Sequence, residues 1–406
     1  MTEVKSQQNI PSGWQEKCLA NFLVIEKGKL PRKTYEVADE NSVPYLSIKH
    51  LDGAEFKYAH KSDGVIADKD DLLVIADGSG SGRMYRGYYG LVSSTFLKIS
   101  SQSPSEISND YLEVLFSHLD FTKSRFRKGG AIPHFDFKQL KDVDILLPPI
   151  KEQQKIAEIL GSVDEDIAKT QEVIEVTEKL KHGLMQQLFT RGIGHTKFKE
   201  TKIGQIPEGW EVGELGSYLL RNPDYGINAA GVDYTKKLPT YIRITDISDD
   251  GKFISKNKKS VDHKDSENYL LQEGDLLFAR TGASVGKTYL YNPDDGKLVF
   301  AGFLIRARAD KEKLLAKYLS YFVQTPMYWN WVRMMSTRSG QPGINGNEYA
   351  GMIISVPPLS EQEKYIEILS AIDEKISVNK KLKEKLTLLK KGLMQDLLSG
   401  VKRVII

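Results

Sequence analysis

Apolar residues fall in short β-type runs through two long stretches of the chain and switch to a helical rhythm after each of two Pro-Pro pairs. In the first stretch the runs are VPYLSIKHL (43–51), DLLVIADG (71–78) and VSSTFLKI (92–99). In the second they are PTYIRITDI (239–247), GDLLFART (274–281) and LVFAGFLIRA (298–307). β-Branched and aromatic runs bounded by Gly, Asp and Asn predict strands. The patches SNDYLEVLFSHL (108–119) and EKLLAKYLSYFVQ (312–324) predict helices between them, so each stretch reads as a mixed α/β domain.

After the first Pro-Pro, Ile156, Leu160, Val163, Ile167 and Ile174 recur at spacings of 4, 3, 4 and 7. After the second, Tyr365, Leu369, Ile372 and Ile376 repeat that rhythm, and Leu386, Leu389, Leu393 and Leu397 continue it after a shift. Alternating 3 and 4 is the seam of a coiled coil, and the two copies are natural partners. Ser360 and Glu363 suggest a capping box at the start of the second helix, and Gly192 and Gly400 stand where the helices should stop. A helix over 152–190 would run roughly 58 Å. The polar, aperiodic stretch 193–205 reads as a linker.

The helical segments are near copies. LPPIKEQQKIAEILGSVDEDI at 147–167 returns as VPPLSEQEKYIEILSAIDEKI at 356–376, and HGLMQQL at 182–188 as KGLMQDL at 391–397. IPSGW (10–14) and IPEGW (206–210) open the halves. A repeat of this period fixes the architecture. It is an α+β chain, pseudo-two-fold symmetric, with two mixed α/β domains at 1–149 and 206–357. Helices at 150–192 and 358–400, the linker at 193–205 and a tail at 401–406 complete it.

Composition narrows the class without naming a chemistry. At 406 residues and 40% hydrophobic content the chain suits two domains with real cores. It has no apolar run long enough to span a bilayer and no hydrophobic leader. The single cysteine, Cys18, excludes an internal disulfide framework and fits a reducing cytoplasm. Net charge is only +3, weak for a free-standing nucleic-acid binder, so a partner would supply much of any phosphate contact.

Three segments imitate catalytic motifs. DLLVIADGSGSGR (71–83) has G-S-G-S-G rather than G-x-G-x-x-G spacing, and RTGASVGKT (280–288) is one residue short of a P-loop. Both lead into β-type sequence, without the helix N-terminus that cradles phosphate. They occupy equivalent positions, with Gly78, Gly82 and Arg83 matched 204 residues later by Gly282, Gly286 and Lys287. NPDY (222–225) resembles the adenine-holding loop of amino-methyltransferases but carries Asp224 where an apolar residue belongs, and reads as a turn. The seven histidines form no H-x-x-x-H pair and one cysteine cannot build a zinc knuckle, so no metal site is expected.

Taken together, the Gly-Trp openings, PTYIRITDI, GDLLFARTG and the doubled PP(I/L)xEQ helix with its G-L-M-Q-x-L end make the chain resemble the specificity (S) subunits of Type I restriction-modification systems. That resemblance implies two target recognition domains, each reading one half of a bipartite, asymmetric double-stranded DNA target, with the helices packed antiparallel as a spacer that sets the gap. It implies docking of two methyltransferase (M) subunits and association with restriction/translocase (R) subunits, and no membrane. S-adenosylmethionine and ATP would be bound by those partners, none by this chain, which would be non-catalytic. Base readout uses polar side chains at base edges. The loop candidates are Lys49, His50, Ser79, Ser81, Arg83, Arg86, Lys128 and His134 in the first domain. In the second they are Arg243, Thr245, Arg280, Thr281, Ser284, Lys287, Arg338, Gln341 and Asn345. Pro133 and Pro342 align at the 209-residue offset, which makes RKGGAIPHF and TRSGQPGIN equivalent loops. The alternative is a self-contained DNA adenine methyltransferase using NPDY; a coiled-coil scaffold without a DNA role would leave the β-rich domains unexplained.

Overall fold

The computed structural model describes residues 10–123, 126–129, 133–337 and 342–404. Its helices are α1 (Ile48–Leu51), α2 (Asn109–Leu119), α3 (Ile150–Arg191), α4 (Ala316–Phe322), α5 (Pro326–Ser336), α6 (Gly346–Ala350) and α7 (Leu359–Leu398). The chain forms two compact units. One contains the first α/β module, α3 as far as Gln171 and α7 from Lys381 onward; the other is Glu172–Lys380.

Each module carries two four-stranded sheets, one of which has the same strand order in both modules. In the first unit Leu23–Lys27, Phe96–Ser101, Leu72–Ile75 and Met84–Tyr85 lie side by side, all antiparallel. In the second the same order is Asp224–Tyr225, Leu304–Arg308, Asp275–Ala279 and Thr288–Leu290. The companion sheets share a parallel pair, Ser42–Leu46 with Gly90–Val92 and Thr240–Ile242 with Leu298–Phe300. The runs VSSTFLKI and LVFAGFLIRA, each expected as one strand, split between the two sheets at 93–95 and 301–303. A two-stranded ribbon closes each module, Gln15–Cys18 on Asp144–Leu147 and Glu211–Glu214 on Ile353–Val356.

The long helices are antiparallel within each unit, as expected. In the first, Lys390 pairs with Asp164 at 2.6 Å and Lys383 donates to Gln171 at 2.7 Å. In the second, Lys380 meets Glu178 at 2.8 Å and Lys181 meets Asp373 at 2.7 Å. Ile156, Leu160, Val163, Ile174, Tyr365, Leu369 and Ile376 are buried, while Ile167, Ile372, Leu386 and Leu393 are half-buried. Leu389 departs from expectation, being 51% exposed. The α7 seam runs through Lys383, Leu386, Lys390, Leu393 and Leu397, so apolar spacing alone selected the wrong residue. Polar seam positions on α3 are Thr170 and Thr177, both buried and bonded to carbonyls one turn back. These bonds satisfy the hydroxyls within their own helix.

The repeated G-L-M-Q ends complete module cores. Met185, Leu188 and Phe189 of α3 lie in the core of the second module, and Met394, Leu397 and Leu398 of α7 in that of the first. Gly192 and Gly400 end the helices with φ of +69° and +70°. Ser360 does not cap α7, because the helix already starts at Leu359 and Pro358 O accepts the Glu361 and Gln362 amides. The stretch expected as linker contains a hairpin, Phe198–Thr201 on Gly204–Pro207.

Candidate nucleic-acid interface and the helix junctions

Each helix leaves its module through a junction built from the EQ pair and the Gly-Trp opening. Gln153 Oε1 accepts the Ser108 amide at 3.1 Å, and its Nε2 donates to Glu106 O and Pro148 O. Gln362 repeats this with the Leu315 amide at 2.8 Å and with Lys313 O and Pro357 O. Both amides are fully buried, and all their bonds are to backbone. Glu152 accepts the Trp14 indole N–H at 3.0 Å and a bidentate pair from Arg403 at 2.6 and 2.8 Å. Burial alone would raise the Glu152 pKa, but the Arg403 guanidinium and the Trp14 N–H outweigh it and hold it below the usual carboxylate value. In the second unit Glu361 accepts Trp210 Nε1 at 3.1 Å, His195 Nε2 at 3.0 Å and the Ile193 amide at 3.0 Å. The repeated PPxxEQ string is therefore a structural clamp, a role that periodicity could not reveal.

At the turn end of each antiparallel sheet the glycine turn meets the proline loop, and each has its expected counterpart in the other module. Gly82 N donates to Ile75 O at 2.9 Å and Gly286 N to Ala279 O at 2.9 Å, so both glycine segments are tight β-turns. Gly82 has φ +87°, and a Cβ there would lie 2.3 Å from Phe121 O. The proline loops dock alongside: Gly78 N donates to Pro133 O at 2.9 Å and Gly282 N to Pro342 O at 3.0 Å. Isolated bridges Asp77–His134 and Thr281–Gly343 continue the contact.

Side chains in the first cluster are mostly tied down. His134 Nδ1 pairs with Asp77 at 2.7 Å and Lys27 with the same carboxylate at 3.1 Å. Partial burial opposes the charged form of Asp77, but these bonds prevail and lower its pKa. Arg83 is half-exposed, stacked on Tyr85 at 5.5 Å and 3.9 Å from Asp52. Lys49 is exposed beside Glu55, and Lys128 pairs with Asp136. His50 packs edge-on against Phe56, its Nδ1 is buried without a hydrogen-bond partner, and burial lowers its pKa. The Ser79 carbonyl accepts Arg127 at 2.9 Å.

In the second cluster Lys287 meets Asp249 at 2.5 Å, Thr281 and Ser284 lie on the turn, and the Arg280 guanidinium stacks over Tyr225 at 4.9 Å. Arg338 and Gln341 lie outside the described residues.

Several candidates turn out to hold the framework. Ser81 is 1% exposed and accepts Arg127 Nε, out of reach of any ligand. Arg86 is enclosed by Asp110, Glu113 and Asp70 at 2.6, 2.9 and 3.3 Å. Arg243 forms a two-pronged bond to buried Asp246, both distances 2.7 Å, and Thr245 Oγ1 donates to the same carboxylate. Asn345 Oδ1 caps α6 at the Glu348 amide, 2.9 Å away. In each case a partner supplied by the fold, near in sequence for Arg243 and Asn345 and distant for Ser81 and Arg86, satisfies a side chain that looks available in the sequence.

NPDY has the same explanation. Asp224 accepts Arg306 Nε and Nη2 at 3.0 and 2.6 Å, and Arg306 is 3% exposed. Arg308 meets Asp275 at 2.6 Å. Glu26, Lys98 and Asp71 occupy the matching strand positions in the first module, with Lys98 2.7 Å from Glu26. The segment is a sheet-edge ion pair, and the methyltransferase alternative loses its anchor. Among the described residues there is no cluster of three or more His, Cys, Asp or Glu side chains placed to hold a metal ion. No helix among them is long and apolar enough to cross a membrane.

Two modules with one backbone frame and unlike loop side chains, each clamped to paired helices, define a double-headed recognition protein. The chain belongs to the Type I restriction modification DNA specificity domain family, whose model matches residues 11–178 and again 207–388. It is similar to the Type I restriction enzyme MjaVIII specificity subunit of Methanocaldococcus jannaschii, with 29% identity over 97% of this chain and 94% of that one. The EcoKI specificity subunit of Escherichia coli is 26% identical over 55% of this chain and 49% of its own length. The crystal structure of a Type I S subunit from M. genitalium shares the fold, with TM-score 0.63 at 16% identity over 97% of this chain and 98% of that one.

Proposed function

We propose that this chain is the non-catalytic, sequence-specific DNA-binding subunit of a Type I restriction-modification complex, each module reading one half of a two-part, asymmetric duplex target. The observation that carries this reading is the repeated backbone frame with different side chains at its exposed turn end. Two unlike readers on one frame suit two unlike half-sites. The paired helices, 42 and 40 residues long, set the number of unspecified base pairs between the halves and dock two M subunits; R subunits complete the assembly. S-adenosylmethionine and ATP are bound by those partners. The near-neutral charge agrees, since M subunits would then share the phosphate contacts.

The test is methylome sequencing of cells carrying the chain with its methyltransferase. A variant with one heptad added to each helix at the same level extends the rod by about 10 Å, about three base pairs of duplex. Both half-sites should stay unchanged while the gap lengthens. An unchanged gap with retained methylation refutes the spacer role, and methylation of no two-part sequence refutes the function.

A further inference from the structure

At the turn end the two modules carry different side chains on matching main-chain bonds. In the first, Ala76 N donates to Thr95 O at 2.7 Å, Phe135 N to Ala76 O at 2.7 Å, and Gly28 N to Phe96 O at 3.0 Å. In the second, Arg280 N donates to Phe303 O at 3.1 Å, Ile344 N to Arg280 O at 2.9 Å, and Gly226 N to Leu304 O at 3.2 Å. These bonds put Lys27, Ala76 and Thr95 in register with Tyr225, Arg280 and Phe303. One backbone carries both sets, so folding does not dictate which side chains stand there.

In the second module that trio has the chemistry of a reader. Phe303 is 58% exposed and Tyr225 40%, aromatic surface left uncovered at the turn end of the module. The cations nearby are neutralised: Arg243 by Asp246, Lys287 by Asp249, Arg306 by Asp224 and Arg308 by Asp275. Arg280 has no ion-pair partner among the described residues. Its guanidinium rests on the Tyr225 ring, whose hydroxyl accepts the Gly346 amide at 2.9 Å and is thereby fixed. Stacking restricts the arginine before any ligand arrives and leaves the edge of its donor fork available.

We propose that Arg280 is a specificity-determining residue of the second module, donating two hydrogen bonds to O6 and N7 of one guanine in the major groove, with Phe303 as the apolar wall beside it. A planar fork of donors matches that pair of acceptors and no other base edge in the groove. The inference rests on the DNA-reading function proposed above.

The experiment uses the full chain assembled with its methyltransferase and a duplex carrying the mapped target. Each guanine is replaced in turn by 7-deazaguanine, which lacks the N7 acceptor. At one guanine the replacement should weaken wild-type binding about 10-fold, and that sensitivity should be absent from Arg280→Ala and Arg280→Gln. Main-chain bonds hold the loop, so both variants should still assemble; if neither does, the wild-type series decides. Loss of sensitivity at that one guanine supports the assignment. Wild-type binding indifferent to every replacement, or variants that keep the full sensitivity, would overturn it. A two-part target with no such guanine refutes Arg280's role alone, whereas the absence of any two-part target refutes the function beneath it.

Discussion

Replacing Glu361 by Ala should expose how much the helix junction contributes to the second unit. The substitution leaves the Trp210 indole N–H without an acceptor in a site where that residue is 1% exposed. A buried unsatisfied donor costs about 1–3 kcal/mol. Two further bonds to the carboxylate disappear, from the Ile193 amide and His195 Nε2, both at 3.0 Å. These donors are only part-buried and water replaces the acceptor, so each contributes about 1 kcal/mol. Tyr365 loses little, because its hydroxyl donates to Leu188 O at 2.7 Å. The total is about 3–5 kcal/mol, or roughly 10 °C in the transition of a unit of about 200 residues. Calorimetry on wild type, Glu361→Ala, Trp210→Phe and the double variant measures it. Removing both partners leaves no orphan, so the double variant should be less destabilised than the sum of the singles by about 1–3 kcal/mol. Additive effects, within about 0.5 kcal/mol, would refute the claim that the indole and the carboxylate depend on each other.

Two further outcomes follow from ion pairs. Glu152 is held below its ordinary pKa in the folded chain, so its contribution is complete above the unfolded value near 4.3 and is lost as pH falls through the lower folded one. Unfolding followed from about pH 5 to pH 3 should show a shallower acid limb for Arg403→Leu than for wild type; equal slopes would contradict the pairing. Asp224→Ala should destabilise the second module by about 2–4 kcal/mol, because buried Arg306 loses its two-pronged partner and keeps only the Leu270 carbonyl at 3.2 Å and the carboxylate of Asp275 at 3.6 Å. Asn222→Ala should leave both stability and methylation of the target unchanged, and loss of methylation from a folded Asn222→Ala protein would revive a catalytic role for the segment.

The helices and the duplicated α/β plan were legible because they rest on local periodicity and on repetition. Ile156, Leu160 and Tyr365 sit at seam positions that any apolar count finds. Leu389 misled because Lys383 and Lys390 occupy the seam there, and a charged residue paired across helices is invisible to a hydrophobic pattern. The hairpin that begins within 193–205 was missed because its strands are short and mostly polar. Proline and glycine loops were correctly paired by their offsets, but the free state of individual side chains was not readable. Arg86 and Arg243 look available until Asp110, Glu113 and Asp246 are folded against them. The roles of Glu152 and Glu361 were hidden for a related reason, since their indole partners lie 138 and 151 residues away.

The exchange of helix ends between modules has a consequence for biosynthesis. The first module's core is finished by Met394, Leu397 and Leu398, while Glu172–Lys380 is self-contained. At about 5–20 residues per second the ribosome takes roughly 10–50 s to travel from the end of the first module to those residues. During that interval the nascent first module exposes the apolar surface that α7 later covers, and the second unit has all its parts first. Synthesis and folding thus run in opposite order, with the module made earliest the last to close.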